Sequence, residues 1–98
     1  MIKHIVMWKL EEVAEGNTRD YNAQYIKENL EALPEVIDGI LKLEVGRNVN
    51  PKGFDLVLCS EFVSMDALKA YDSHPAHLRV REFVRKVIVE RVVADYEV

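Results

Sequence analysis

The sequence predicts an α+β fold of the ferredoxin-like type, a βαββαβ chain whose four strands form one antiparallel sheet with helices on one face. Three observations carry this. Period-2 apolar alternation appears at both ends of the chain and twice in its middle. Two stretches with helical spacing separate these strands into the order strand, helix, strand, strand, helix, strand. The connections are short, and right-handed crossovers leave few other topologies.

The first strand is residues 2–10, where Ile2, His4, Val6, Trp8 and Leu10 share one face and Lys3, Ile5, Met7 and Lys9 the other. Glu11 to Gly16 reads as a polar loop. A helix follows from Asn17 or Thr18, either of which suits a cap, to Leu33, with Asp20 in its first turn. Ala23, Ile26, Leu30 and Leu33 form its buried stripe, with Tyr25 beside it. Pro34 ends it, because the residue before a proline is pushed out of helical geometry.

Ile40 to Val45 is the second strand, with Leu41, Leu43 and Val45 on one side and Lys42 and Glu44 on the other, a pattern suited to a sheet edge. Asn48 to Gly53 is rich in turn formers and closes a hairpin onto the third strand, Phe54 to Phe62. Leu56, Leu58, Ser60 and Phe62 lie on one of its faces, and Asp55, Val57, Cys59 and Glu61 on the other. Ser64 caps a short helix with Ala67, Leu68 and Tyr71 inward. Asp72 to His74 interrupt it, and Pro75 suits the first position of a new helix, where a missing N–H costs nothing. His77, Val80, Val84 and Val87 make the inner stripe of that helix, with Phe83 alongside and Arg79, Glu82, Arg85 and Lys86 turned mostly outward. The β-branched run from Val87 to Val98 is the fourth strand.

Composition narrows the function classes. Ninety-eight residues, 49% hydrophobic and 31% charged, are expected to form one domain over residues 1–98. A net charge of −4 with no basic run argues against nucleic acid as a partner. No apolar run approaches a membrane span, and no targeting segment is evident at the N-terminus. The single cysteine, Cys59, has no intrachain partner, and a reducing, cytoplasmic setting is the expectation. The three histidines have no carboxylate or cysteine at metal-ligand spacing, so neither a metal nor another cofactor is expected.

The face that the helices leave uncovered carries Ile5, Met7, Val57, Cys59, Val92, Ala94 and Tyr96. An apolar patch of that extent calls for a partner, and a symmetric homodimer through the sheet face is the expected solution.

Lys3-His-Ile-Val6, Glu61 to Tyr71, His74-Pro-Ala-His77 and Asp95-Tyr-Glu-Val98 together resemble the stress-responsive dimeric α/β-barrel family over essentially the whole chain. The resemblance implies a dimer whose two sheets form a barrel, with a pocket between sheet and helices in each subunit. Some plant members cyclise linear polyketides with a histidine and a tyrosine, roles that would fall on His77 and Tyr71, with His4 lining the same cavity. Those cyclases carry a further histidine at the start of the third strand, where this chain has Leu56. The resemblance also implies a cation site on backbone carbonyls around Leu30, Leu33 and Val36.

His77 and Tyr71 are thus the candidate catalytic pair, and His4, Val6, Trp8, Leu56 and Leu58 the expected ligand-lining set. His77, near a helix N-terminus, is suited to be a neutral imidazole able to accept a proton. Two functions from different classes follow. One is a dimeric barrel that binds a small hydrophobic or keto-type ligand. The other is a non-catalytic, stress-linked dimerisation module. A cavity bordered by His77, Tyr71 and His4 favours the first, and one filled by Trp8, Phe83 and Leu56 the second.

Overall fold

The computed structural model describes residues Met1–Val98. In chain order the elements are β1 (Ile2–Leu10), the two-residue strands β2 (Val13–Ala14) and β3 (Asn17–Thr18), α1 (Arg19–Glu31), a 3-10 turn at Leu33–Glu35, β4 (Ile40–Arg47), β5 (Leu56–Phe62), α2 (Met65–Ser73), α3 (Pro75–Val87) and β6 (Ile88–Glu97). The main sheet runs β4-β5-β1-β6 with every neighbour antiparallel, as the ferredoxin-like pattern requires.

Alternation in β1 decides which side the helices take. Ile2, His4, Val6, Trp8 and Leu10 are all buried beneath them. On β5, Leu56, Leu58, Ser60 and Phe62 lie in register with Trp8, Val6, His4 and Ile2. Ala23, Ile26 and Leu30 of α1, Leu68 and Tyr71 of α2, and Val80, Val84 and Val87 of α3 close over this layer. Removing a side chain as large and enclosed as Ile26 or Phe62 costs about 2–5 kcal/mol, so this layer holds most of the fold's stability.

Local signals set the boundaries. Thr18 Oγ1 accepts from the Tyr21 N–H at 3.2 Å and Ser64 Oγ from the Ala67 N–H at 3.1 Å, each satisfying an orphan donor at a helix start. His74 both ends α2 and caps α3, its Nδ1 accepting from the Ala76 N–H at 3.0 Å. The interruption is therefore this one residue, narrower than the three expected.

Three expectations are corrected. The segment read as a loop, Glu11 to Gly16, holds most of the small β2–β3 hairpin, turned by Glu15 and Gly16 at φ 52° and 76°. Its Ala14 carbonyl accepts from the buried Asn22 side chain of α1 at 3.1 Å. Helix α1 stops at Glu31, and the chain tightens into the 3-10 turn, where Leu33 O accepts from both Val36 and Ile37. On β4 the register slips between Ile40 and Lys42, which takes Leu41 out of phase and leaves it 56% exposed.

Lys27 and Glu31 of α1 tie the helix to the sheet. Glu31 accepts from Lys27 Nζ at 2.7 Å and from the Val45 N–H at 3.0 Å, while Lys27 Nζ donates to Val45 O at 2.6 Å.

On the opposite face, Ile5 pairs with Cys59 and Ala94, and Met7 with Val57 and Val92, making one apolar strip across three strands. Val92 and Tyr96 are exposed there. No helix is long and apolar enough to cross a membrane.

Candidate functional site

Between the helix-facing side of the sheet and helices α2 and α3 lies an open cavity of about 360 Å³. Volumes of this order suit a small organic molecule. His4, Tyr71 and His77 border one part, Val6, Leu58, Val80 and Val84 form apolar walls, and Trp8, Ile88, Arg85 and Arg91 complete the lining with Leu30, Asp72 and Arg81.

Pro75 fixes where α3 begins, and His77 then falls in its first turn, facing Tyr71 in the last turns of α2. Their ring centroids are 4.3 Å apart at an interplanar angle of 32°. Phe62, 5.0 Å from Tyr71 between centroids, supports the phenol from the sheet side. The Tyr71 hydroxyl is buried and has no hydrogen-bond partner. Burial, with the nearby Asp72 charge, pushes its pKa far above the ordinary phenol value, and Arg91 opposes them. This group is therefore a neutral donor with nothing to donate to. Such a buried hydroxyl costs stability until a ligand oxygen or water meets it.

His77 is half-buried, and its Nδ1 lies 3.1 Å from the Asp72 carbonyl oxygen. A carbonyl only accepts, so Nδ1 carries the proton and Nε2 is left bare. Burial lowers the imidazole pKa below its ordinary 6.5, the Asp72 carbonyl and carboxylate pull the other way, and Arg81 and His4 add to the lowering. A neutral imidazole with a free Nε2 is a proton acceptor at neutral pH.

His4 projects from mid-strand, 8% exposed, with its ring 6.2 Å from that of Tyr71. Its Nδ1 lies 2.5 Å from Asp95 Oδ1 on the neighbouring strand, its direct partner in the ladder. The carboxylate fixes the tautomer and turns Nε2 into the free nitrogen, the arrangement by which an acidic group orients a working histidine.

Six of the seven expected site residues line this cavity: His77, Tyr71, His4, Val6, Trp8 and Leu58. Leu56 does not. It is wholly buried in the core beside Trp8, between β1 and β4. Asp95 and Asp72 were given no role by sequence reasoning, and Arg85 was read as outward. Period-2 alternation already puts Arg91, Val93 and Asp95 on one face of β6, but only the register brings Asp95 to His4. No group of three or more His, Cys, Asp or Glu side chains is arranged to hold a metal ion. At the cation position implied earlier, the Leu33 carbonyl is already engaged by two backbone N–H groups.

Residues 2–98 match the Stress Responsive A/B Barrel Domain. A dimeric protein of unknown function and ferredoxin-like fold from Bacteroides fragilis is 35% identical, with a TM-score of 0.86 over 99% of this chain and 95% of its own. A dimeric ferredoxin-like protein of unknown function from Thermobifida fusca is 19% identical, with a TM-score of 0.83 over 99% of this chain and 90% of its own. The hydroxynitrile lyase of Passiflora edulis is 17% identical, with a TM-score of 0.80 over 97% of this chain and 90% of its own, and shares the fold. No curated protein matches by sequence.

Proposed function

The chain belongs to the Stress Responsive A/B Barrel Domain family, and on that premise we propose that it is a homodimer whose sheet–helix pocket binds a small hydrophobic or keto-type ligand. The observation that carries the reading is the partnerless Tyr71 hydroxyl, buried beside His77 at an open cavity. A ligand carbonyl oxygen would accept from Tyr71, and His77 Nε2 would take a proton from the adjoining carbon as general base. His4, held by Asp95, would present its own Nε2 to the same ligand. The dimer draws support from the apolar strip centred on Ile5 and Met7, and from the two dimeric proteins of like fold. A reducing, cytoplasmic setting suits the lone thiol Cys59.

The competing reading, a dimerisation module with a vestigial pocket, predicted a cavity filled by Trp8, Phe83 and Leu56. Of these only Trp8 borders the space, and the space is open. Cyclase-like chemistry is the weaker alternative, because the third-strand position that would add a histidine is the enclosed Leu56.

A thermal-shift screen of small aromatic and polyketide-like ketones against wild type and His77→Ala tests this. Ligand at about a hundred times its Kd adds about 2.7 kcal/mol to stability, a readily measured shift. Hits should stabilise wild type more than the variant. If no compound stabilises either protein, the pocket reading fails.

A further inference from the structure

The two ends of the cavity differ in chemistry. His77, Arg81 and Arg85 succeed one another at single-turn spacing on α3, and all three line the space. At about 1.5 Å rise per residue, Arg85 stands about 12 Å along the helix from His77. Arg91 enters from β6, opposite Trp8 in the ladder, whereas Asp95 sits opposite His4. The separation between those two rungs is about 13 Å on a strand. Arg85 and Arg91 therefore gather towards the Trp8 end, away from His77 and His4, while the Arg91 charge still reaches the Tyr71 phenol.

Arg85 and Arg91 are exposed at the mouth of the cavity, where water rather than protein meets them in the free chain. Arg81 has Asp72 at 3.8 Å, but Arg85 and Arg91 form no ion pair and donate no hydrogen bond to any protein group. The chain carries 17 acidic and 13 basic residues, so three arginines on one cavity run against its overall charge. The lining between the two ends is apolar, from Val6, Leu58, Val80 and Val84.

Resting on the pocket reading above, the geometry points to a small amphipathic carboxylate bearing a ketone as the ligand. Its anionic head meets Arg85 and Arg91, whose planar forks match a carboxylate. Its apolar chain lies along the valines. Its ketone oxygen, at the far end, accepts from Tyr71 with His77 Nε2 beside the adjoining carbon. An end-to-end separation near 12 Å, shortened by the reach of the side chains at both ends, suits a medium-length chain. The arginines select and orient, and Tyr71 and His77 act on the carbonyl.

Titration calorimetry decides this with four probes: octanoate, octanoate carrying a ketone at its penultimate carbon, and the methyl ester of each. Wild type should bind each acid at least about tenfold more tightly than its ester. Arg85→Gln and Arg91→Gln should each weaken the acids about tenfold and leave the esters unchanged. Arg79→Gln removes a charge from the same helix outside this cavity and should change neither. Tyr71→Phe should abolish the advantage of the ketone over plain octanoate. Esters that match their acids, or an Arg79→Gln loss equal to the other two, overturn the anionic end while the pocket stands. If none of the four binds at millimolar concentration, this inference falls, and the pocket reading falls with it only if the ketones of the thermal-shift screen also fail to stabilise the protein.

Discussion

Asp95 Oδ1 sits 2.5 Å from Nδ1 of His4, across the β1–β6 ladder and 91 positions apart in sequence. Carboxylate and imidazole are direct strand partners, so the backbone register itself brings them together. Nitrogen-15 shifts of the neutral His4 ring should report a protonated Nδ1 and a bare Nε2. Asp95→Asn should scramble that preference and cost about 1 kcal/mol in urea denaturation, since a charge-assisted hydrogen bond to a half-exposed carboxylate becomes a neutral one. A wild-type spectrum with the proton on Nε2 would contradict the assigned orientation.

Tyr71→Phe separates stability from function. The hydroxyl is buried without a partner, so its removal should leave the unliganded protein unchanged or raise its unfolding free energy by up to about 1 kcal/mol. Ketone-ligand affinity should fall about tenfold in the same variant. A clear loss of stability without ligand would mean that the hydroxyl already has a partner in solution.

The pH dependence follows from His77. Burial holds its folded pKa below the ordinary 6.5, so between the two values the unfolded chain binds more protons here than the folded one. The stability contributed by the neutral ring is complete above about pH 7 and is lost as pH falls through about 6.5 towards the lower folded value. Wild type should therefore lose stability relative to His77→Gln between about pH 7.5 and 5 by urea denaturation. Parallel profiles would show that His77 titrates alike in both states.

Met7→Glu tests the apolar strip. Met7 pairs with Val57 and Val92 on the uncovered face, and an unpaired carboxylate trapped between two such faces costs several kcal/mol. Sedimentation should give a dimer for wild type and a monomer for Met7→Glu, with a dissociation constant raised at least about a hundredfold. An unaltered circular dichroism spectrum would show that the fold survives. A variant that stays dimeric would move the interface off this face.

Short-range signals made most of the framework legible. Alternation placed Ile2, His4, Val6, Trp8 and Leu10 correctly because a period of two ties every side chain to one face. Caps placed Ser64 and Pro75 because each satisfies or spares a donor within its own turn. Leu41 was misread because a bulge changes phase without leaving a mark in the residues. Asp95 went unassigned for the same kind of reason: its partner is fixed by how two distant strands align. Arg85 follows a charge pattern typical of a solvated helix face, and only the neighbouring β6 turns that face into the mouth of a cavity.

The link from Lys27 and Glu31 to Val45 has a further result. β4 is an outer strand, and these two side chains occupy both the N–H and the carbonyl oxygen that Val45 turns away from β5. A foreign strand arriving there would find its docking groups taken by a lysine and a glutamate anchored on a helix. β6, the other outer strand, has no comparable cover. The sheet is thus blunted at Val45 against templated growth along that border, where continued growth would lead to fibres. A lysine and a glutamate at the middle of that border work against runaway stacking of this sheet into ribbons.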